Sequence, residues 1–115
     1  MRETKFRYTV KRDNGHIFSG VFELAAIESG EVRKWWETNF IGIAQVRKDQ
    51  FIGLKDCKGI EIYEGDILRH EQHIGKVVWD YSGFMLEVNH VIYAIWRGCE
   101  VLGNVFQNPE LLERE

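Results

Sequence analysis

The chain has 115 residues, 44% of them hydrophobic and 13% aromatic, with one proline, two cysteines and a net charge of −3. This length holds one domain or two small lobes, and the apolar content suffices for a packed interior. With no Pro-, Ser- or Gln-rich run, a long disordered linker is excluded. No apolar stretch is long enough to span a bilayer, and Met1-Arg2-Glu3 leads into no signal-peptide core, so a cytoplasmic protein with no membrane partner is expected.

In residues 4–10, TKFRYTV, Phe6, Tyr8 and Val10 alternate with Lys5, Arg7 and Thr9, the period of a β-strand. Asn14-Gly15 predicts a tight type I′ hairpin turn, in which both central residues take positive φ. Ile17, Phe18, Val21 and Phe22 supply the return strand, with Gly20 marking a bulge or a close packing contact. Ser29-Gly30-Glu31 reads as a helix start, with Ser29 as N-cap and Glu31 near the positive end of the dipole. Val32, Trp35, Trp36 and Phe40 follow at helical spacing, and residues 24–27 form a short turn or helix before them. Adjacent tryptophans cannot both point into one core from a helix, so one covers another element or meets a partner. Residues 41–46 predict a strand and Lys48-Asp49-Gln50 a turn.

Residues 51–69, FIGLKDCKGIEIYEGDILR, organise the rest of the chain. Residues 56–59 form a turn, Ile60 and Ile62 alternate with Glu61 as a half-buried strand does, and Glu64-Gly65-Asp66 turns a corner. Gly65 supplies positive φ there and Asp66 bonds nearby backbone amides. After the polar loop 70–73 come strands at 74–79, 84–88, 91–96 and 100–105. Turns at 80–83, 89–90 and 97–98 separate them. Asn108 then caps a helical turn that begins at Pro109, and Leu111 and Leu112 tuck it against the end of the expected barrel.

Short strands joined by tight loops predict a mostly β protein with one main helix, of the α+β class. A small C-terminal SH3-like β-barrel is preceded by an N-terminal β-hairpin and helix. The expected division is a hairpin–helix–strand lobe at 1–50 and the barrel with its terminal helical turn at 51–115.

Three segments have a family resemblance: FIGLKDCKGIEIYEGDIL, GKVVWDYSGFMLEV and EVLGNVFQNPELL. Together they resemble the YopX proteins of bacteriophages and prophages. Gly53, Leu54, Lys55, Asp56, Gly59, Ile62, Tyr63, Glu64, Gly65, Asp66 and Ile67 match the family's central motif. Gly103, Asn104, Asn108, Pro109, Glu110 and Leu111 match its closing motif. Ile52 stands where the family usually has Thr. The resemblance is carried from Phe51 to the C-terminus. It implies a phage or prophage origin and a bacterial cytoplasm, and it brings no catalytic residues. The motif residues are read as turn and corner formers.

Chemistry-bearing patterns are sparse. Neither GxGxxG nor GxxxxGK[ST] is present, and no serine has a nucleophile-elbow context. Cys57 and Cys99 are too far apart in sequence for a CxxC site and are expected as free thiols. His70 and His73 have a metal-ligand spacing only on a helix, and between strands they read with Glu71 as solvated loop residues. Glu64 and Asp66 flank one glycine and read as corner residues rather than an acid–base pair. No cofactor and no metal are expected.

Aromatic residues near turns carry the stronger signal. Tyr81 and Trp96, with Trp36, are the candidate partner-binding residues, lining a groove for a phage or host protein. The alternative is a nucleic-acid-binding protein that uses the basic N-terminal hairpin and stacks bases on Tyr8 or Trp79. Residues 1–20 hold five basic and two acidic side chains, and residues 64–115 hold four basic and nine acidic, a balance that favours a protein partner. The hairpin is marginal alone and must join a larger sheet or a second chain. A homodimer with Trp35 or Trp36 near the contact is therefore expected.

Overall fold

The computed structural model describes residues 4–39, 43–80, 83–95 and 98–114, with the backbone alone at 36–39, 43–44 and 113–114. The chain is mostly β and divides into two compact units, Met1–Gln50 and Phe51–Glu115.

In the first unit β1 (Lys5–Arg12) and β2 (Ile17–Glu23) form an antiparallel hairpin. Two short helices follow, α1 (Leu24–Glu28) and α2 (Glu31–Asn39). Then β3 (Ile43–Lys55) returns along the other side of β1, pairing Val10 with Val46 and Phe6 with Gln50. Lys48-Asp49-Gln50 is thus strand rather than the turn expected. Asp49 is the reason a polar triplet is tolerated there. It is 3% exposed, lies opposite Arg7 in the ladder, and accepts from Arg47 Nε at 2.7 and 2.9 Å, with Arg7 at 3.5 Å. A carboxylate buried between two guanidiniums keeps its charge compensated inside the sheet.

The face of Phe6, Tyr8 and Val10 carries an aromatic cluster. The Trp35 ring of α2 meets Phe22 at 5.3 Å, Phe18 at 5.7 Å and Tyr8 at 6.3 Å between ring centroids. A Cβ at Gly20 would come within 3.2 Å of the Trp35 ring, so the glycine is a close-packing position. Lys48 places its ammonium 4.5 Å from the Phe6 ring centre, a favourable cation–π distance.

Two local expectations are corrected. Ser29 closes α1 instead of opening α2: its hydroxyl donates to the Ala26 carbonyl and its N–H to that of Ala25. The Asn14-Gly15 turn is not type I′, because only Gly15 takes positive φ, at 88°. Gly15 N–H donates to Arg12 C=O and Arg12 N–H to His16 C=O, which makes a three-residue loop with a glycine bulge.

In the second unit the end of β3 pairs with β4 (Glu61–Tyr63), Phe51 opposite Tyr63 and Lys55 opposite Glu61. Gly53, at φ 92°, sits at the register shift between them. The remaining strands are β5 (Asp66–His70), β6 (His73–Asp80), β7 (Gly83–Val88), β8 (Val91–Tyr93) and β9 (Glu100–Asn104). They form an antiparallel sheet in the order β8-β7-β6-β5-β9. Among the described residues β8 and β9 are its two ends and do not pair, so the closed barrel expected from the strand spacing is not found. Ile52, Ile62, Leu68, Val77, Leu86, Val88 and Cys99 make the core, with Phe84, Ile95 and Val101 against it. A 3₁₀ helix, Pro109–Arg114, ends the fold.

The type I′ signature occurs instead at Asn89 and His90, with φ of 49° and 68° in the two-residue loop that joins Val88 to Val91. Left-handed backbone costs a non-glycine residue about 1–2 kcal/mol, partly offset when glycine loosens the unfolded chain. His90→Gly is therefore expected to raise stability by roughly 0.5 kcal/mol. Gly15→Ala, at open space but φ 88°, is expected to lower it by about 1 kcal/mol. Urea unfolding of the two variants checks the opposite signs.

Candidate functional site

The densest polar arrangement in the second unit is built on Asp56. Its Oδ1 accepts the N–H groups of Lys58 (2.8 Å) and Ile60 (2.9 Å), and its Oδ2 accepts that of Val101 on β9 (2.9 Å). Asp56 N–H donates to Ile60 C=O, Gly59 N–H to Asp56 C=O, and Cys57 N–H to Cys99 C=O. One carboxylate thus closes its own turn and ties that turn to a strand some 45 residues later. Burial pushes the Asp56 carboxyl up, but the hydrogen bonds from Val101, Ile60 and Lys58 outweigh it and hold the group below its ordinary value. Beside this turn Glu100 bridges Lys58, at 2.7 Å, and Arg69. Lys58 first and Arg69 second hold the Glu100 carboxyl low, and Glu100 raises Lys58 in return.

The corner of residues 63–66 works the same way. Asp66 is 1% exposed and its Oδ2 accepts the Tyr63 N–H at 2.8 Å. Gly65 N–H donates to Val77 C=O, and Gly65 C=O accepts from Val105 N–H, both at 2.9 Å. Glu64, between Tyr63 and Gly65, is half-buried. In the closing motif Asn104 Oδ1 accepts from Phe106 and Gln107 N–H. Asn108 sends its side chain back to Asn104 N–H at 3.3 Å, while its carbonyl accepts from Leu111 in the helix that begins at Pro109. Any Cβ at Gly103 would overlap Asn108 Oδ1, so a side chain there would displace this tie.

The candidate partner-binding residues fare differently. Tyr81 and Trp96 lie outside the described residues, as does the side chain of Trp36, whose backbone belongs to α2. Trp35 packs within its own hairpin cluster. The aromatic that sequence reading did not favour is Trp79, 64% exposed, with its ring edge-on to Phe84 at 4.9 Å. Trp79 pairs with Phe84 one step beyond the buried Val77–Leu86 pair, on the same face of the sheet. The alternation through Gly75, Val77 and Trp79 is visible in sequence, but where the core beneath it stops is not.

His70 and His73 stand opposite each other in the β5–β6 hairpin. The His73 ring stacks on Tyr93 at 5.8 Å, and the His70 ring lies beside Gly98. Among the described residues no group of three or more His, Cys, Asp or Glu side chains is placed to hold a metal. An open recess is lined by Ile74, Lys76, Glu87, Asn89, His90 and Leu112, with Lys76 and Glu87 in an ion pair at 3.5 Å. Cys57 is exposed and Cys99 buried, both as thiols. Among the described residues no helix is long and apolar enough to cross a membrane.

The class is that of a mostly β fold of two units in which Asp56, Asp66, Asn104 and Asn108 of the motifs accept backbone N–H groups. The YopX family model, described as "YopX protein", matches residues 5–113, and the chain belongs to that family. The match takes in the N-terminal unit as well as the motif-bearing half. Among solved structures the chain is similar to protein EF1440 from Enterococcus faecalis, seen in a crystal structure. The two are 19% identical with a TM-score of 0.54, covering 97% of this chain and 99% of that one, a likeness of fold. No curated protein matches the chain.

Asp56→Asn puts an amide donor against one of three backbone donors. Leaving such a group unsatisfied costs about 1–3 kcal/mol, and that loss is expected in urea unfolding at pH 7. The folded Asp56 titrates below its unfolded value of about 3.9. Its contribution is thus full above that value and lost as pH falls through the folded one. The acid limb of the stability–pH curve is expected to be shallower in Asp56→Asn than in the wild type.

Proposed function

We propose that this YopX protein is a phage-type accessory protein that acts without catalysis, as a protein-interaction module. The observation that carries this reading is Trp79. Of the exposed large hydrophobic residues among those described it is the most open, at 64%, and it prolongs the core-facing row of the sheet beyond its buried part. A tryptophan held against a neighbouring ring offers large apolar area at low entropic cost, the property that makes such residues dominate protein–protein affinity. Asp56 and Asp66 of the central motif accept backbone N–H groups, which supports a structural role for them.

The alternative, nucleic-acid binding through the N-terminal hairpin, requires stacking aromatics. Tyr8 is occupied by Phe22, Trp35 and Lys48. The acidic balance of residues 64–115 works against phosphate backbones near Trp79.

Capture from bacterial host lysate tests the reading. The wild-type chain is expected to retain a specific protein that Trp79→Ala retains at least tenfold less, as for an interface hot spot. No Trp79-dependent partner, together with micromolar binding of single- or double-stranded DNA or RNA at low salt, would establish the alternative instead.

A further inference from the structure

In the first unit, half-buried rings at the sheet surface carry cations of the chain itself. Lys48 places its ammonium 4.5 Å from the centre of Phe6 and 5.7 Å from that of Tyr8, and the Arg12 guanidinium lies 4.9 Å from the centre of Phe18. A cation over an aromatic face is attracted by the ring quadrupole. Trp79, in the second unit, is more exposed than any of these rings and has no such cover among the described residues. Its ring contact there is Phe84, with 76° between the planes, which engages at most one face of the indole.

We propose that Trp79 is the seat of an arginine side chain from the partner protein, an inference that rests on reading Trp79 as a partner-binding residue. The described lysine and arginine residues of β5, β6 and β7 are Arg69 and Lys76. By strand alternation both lie on the face opposite Trp79. Both are also engaged, Arg69 with Glu100 and Lys76 with Glu87. The strands around Trp79 thus offer it no cation, while the charge of the unit calls for one. Residues 51–115 hold six basic and eleven acidic side chains, a balance that attracts cations and repels anions. Two of the acids are close to Trp79 along the chain or the ladder. Asp80 follows it directly, and Glu64 precedes Gly65, whose N–H bonds the Val77 carbonyl.

Arginine suits this place better than the other occupants of an exposed indole. Its planar guanidinium stacks on the ring face while its N–H groups stay directed at carboxylates, and it sheds water more easily than the ammonium of lysine. An apolar side chain would gain burial against Trp79 but nothing from the acidic surroundings. A nucleic-acid base would stack as well, but it brings phosphates to an acidic unit. The cation–π contact itself changes affinity roughly two- to thirtyfold, from an open to a desolvated site.

NMR titration of the full chain with short peptides, read at the backbone amides of Phe84 and Asp80, tests it. The probes are a Gly–Ser peptide carrying two arginines and the same peptide with citrulline, a neutral isostere, or glutamate in their place. At low salt the arginine peptide is expected to shift both amides with a dissociation constant of about 1 mM or below, in the weak-affinity range. The citrulline and glutamate peptides are expected to bind the wild-type chain roughly threefold or more weakly. Trp79→Leu keeps an apolar side chain but loses the ring, and is expected to weaken the arginine peptide by a similar factor. Trp79→Tyr keeps a ring and is expected to stay within about twofold of the wild type. Trp79 is exposed, so both variants are expected to keep the wild-type unfolding midpoint. No shift of the two amides up to about 5 mM arginine peptide overturns the proposal. Citrulline binding as tightly as arginine, or folded Trp79→Leu binding as tightly as the wild type, overturns it as well. In any of these cases, host-protein capture that Trp79→Ala abolishes still upholds the interaction module through apolar contact, so the two readings fail separately. A single-stranded oligonucleotide that shifts the same amides at lower concentration than the arginine peptide also overturns the proposal.

Discussion

The second unit depends on one carboxylate that binds backbone rather than ligand. Asp56 receives three N–H groups, two from its own turn and one from β9. β9 lies at the end of the sheet and touches only β5 through its ladder. The turn of residues 56–60 therefore supplies the second side of β9, and Asp56 is what aims it there. A carboxylate suits the role because it accepts on both oxygens at once, and charge-assisted hydrogen bonds are the stronger kind. The Gly65–Asp66 corner and the Asn104–Asn108 pair repeat the same solution, polar side chains satisfying backbone where strands change direction.

This economy bears on function. Asp56, Asp66, Asn104 and Asn108 of the motifs accept backbone N–H groups, while the Tyr63 hydroxyl donates to Glu61 Oε1 at 3.1 Å. Among the described exposed large hydrophobic residues of the second unit are Trp79, at the end of β6, and Val91, Ile92 and Tyr93 of β8. The two features lie on different parts of one sheet.

Much of the fold was legible in the sequence, wherever a local rule and the tertiary context agreed. The alternation in residues 4–10 is that of a strand, as β1 is, and Asp56 to Gly59 and Gly65-Asp66 turn the chain as their residue chemistry implies. Local rules failed where a distant partner changed the outcome. Lys48-Asp49-Gln50 has turn composition, but Arg7 and Arg47 neutralise Asp49 and keep it in a strand. Asn14-Gly15 carries the strongest type I′ dipeptide, yet the ladder register spreads its loop over three residues, while Asn89-His90 takes the left-handed pair without a glycine. Ser29 has the chemistry of an N-cap, but the preceding short helix uses its hydroxyl first. The exposure of Trp79 was beyond sequence reasoning, because alternation says which face a residue shares and not where the core beneath that face stops.

The direct test of the claim that the motif carboxylates are committed to backbone is an NMR titration of the Asp56 side-chain carboxyl, followed together with the amide protons of Lys58, Ile60 and Val101. The account predicts a midpoint below the ordinary carboxylate value, and shifts of all three amides that track that same midpoint. A midpoint at or above about 3.9, or amides that do not respond as Asp56 takes up its proton, would contradict it.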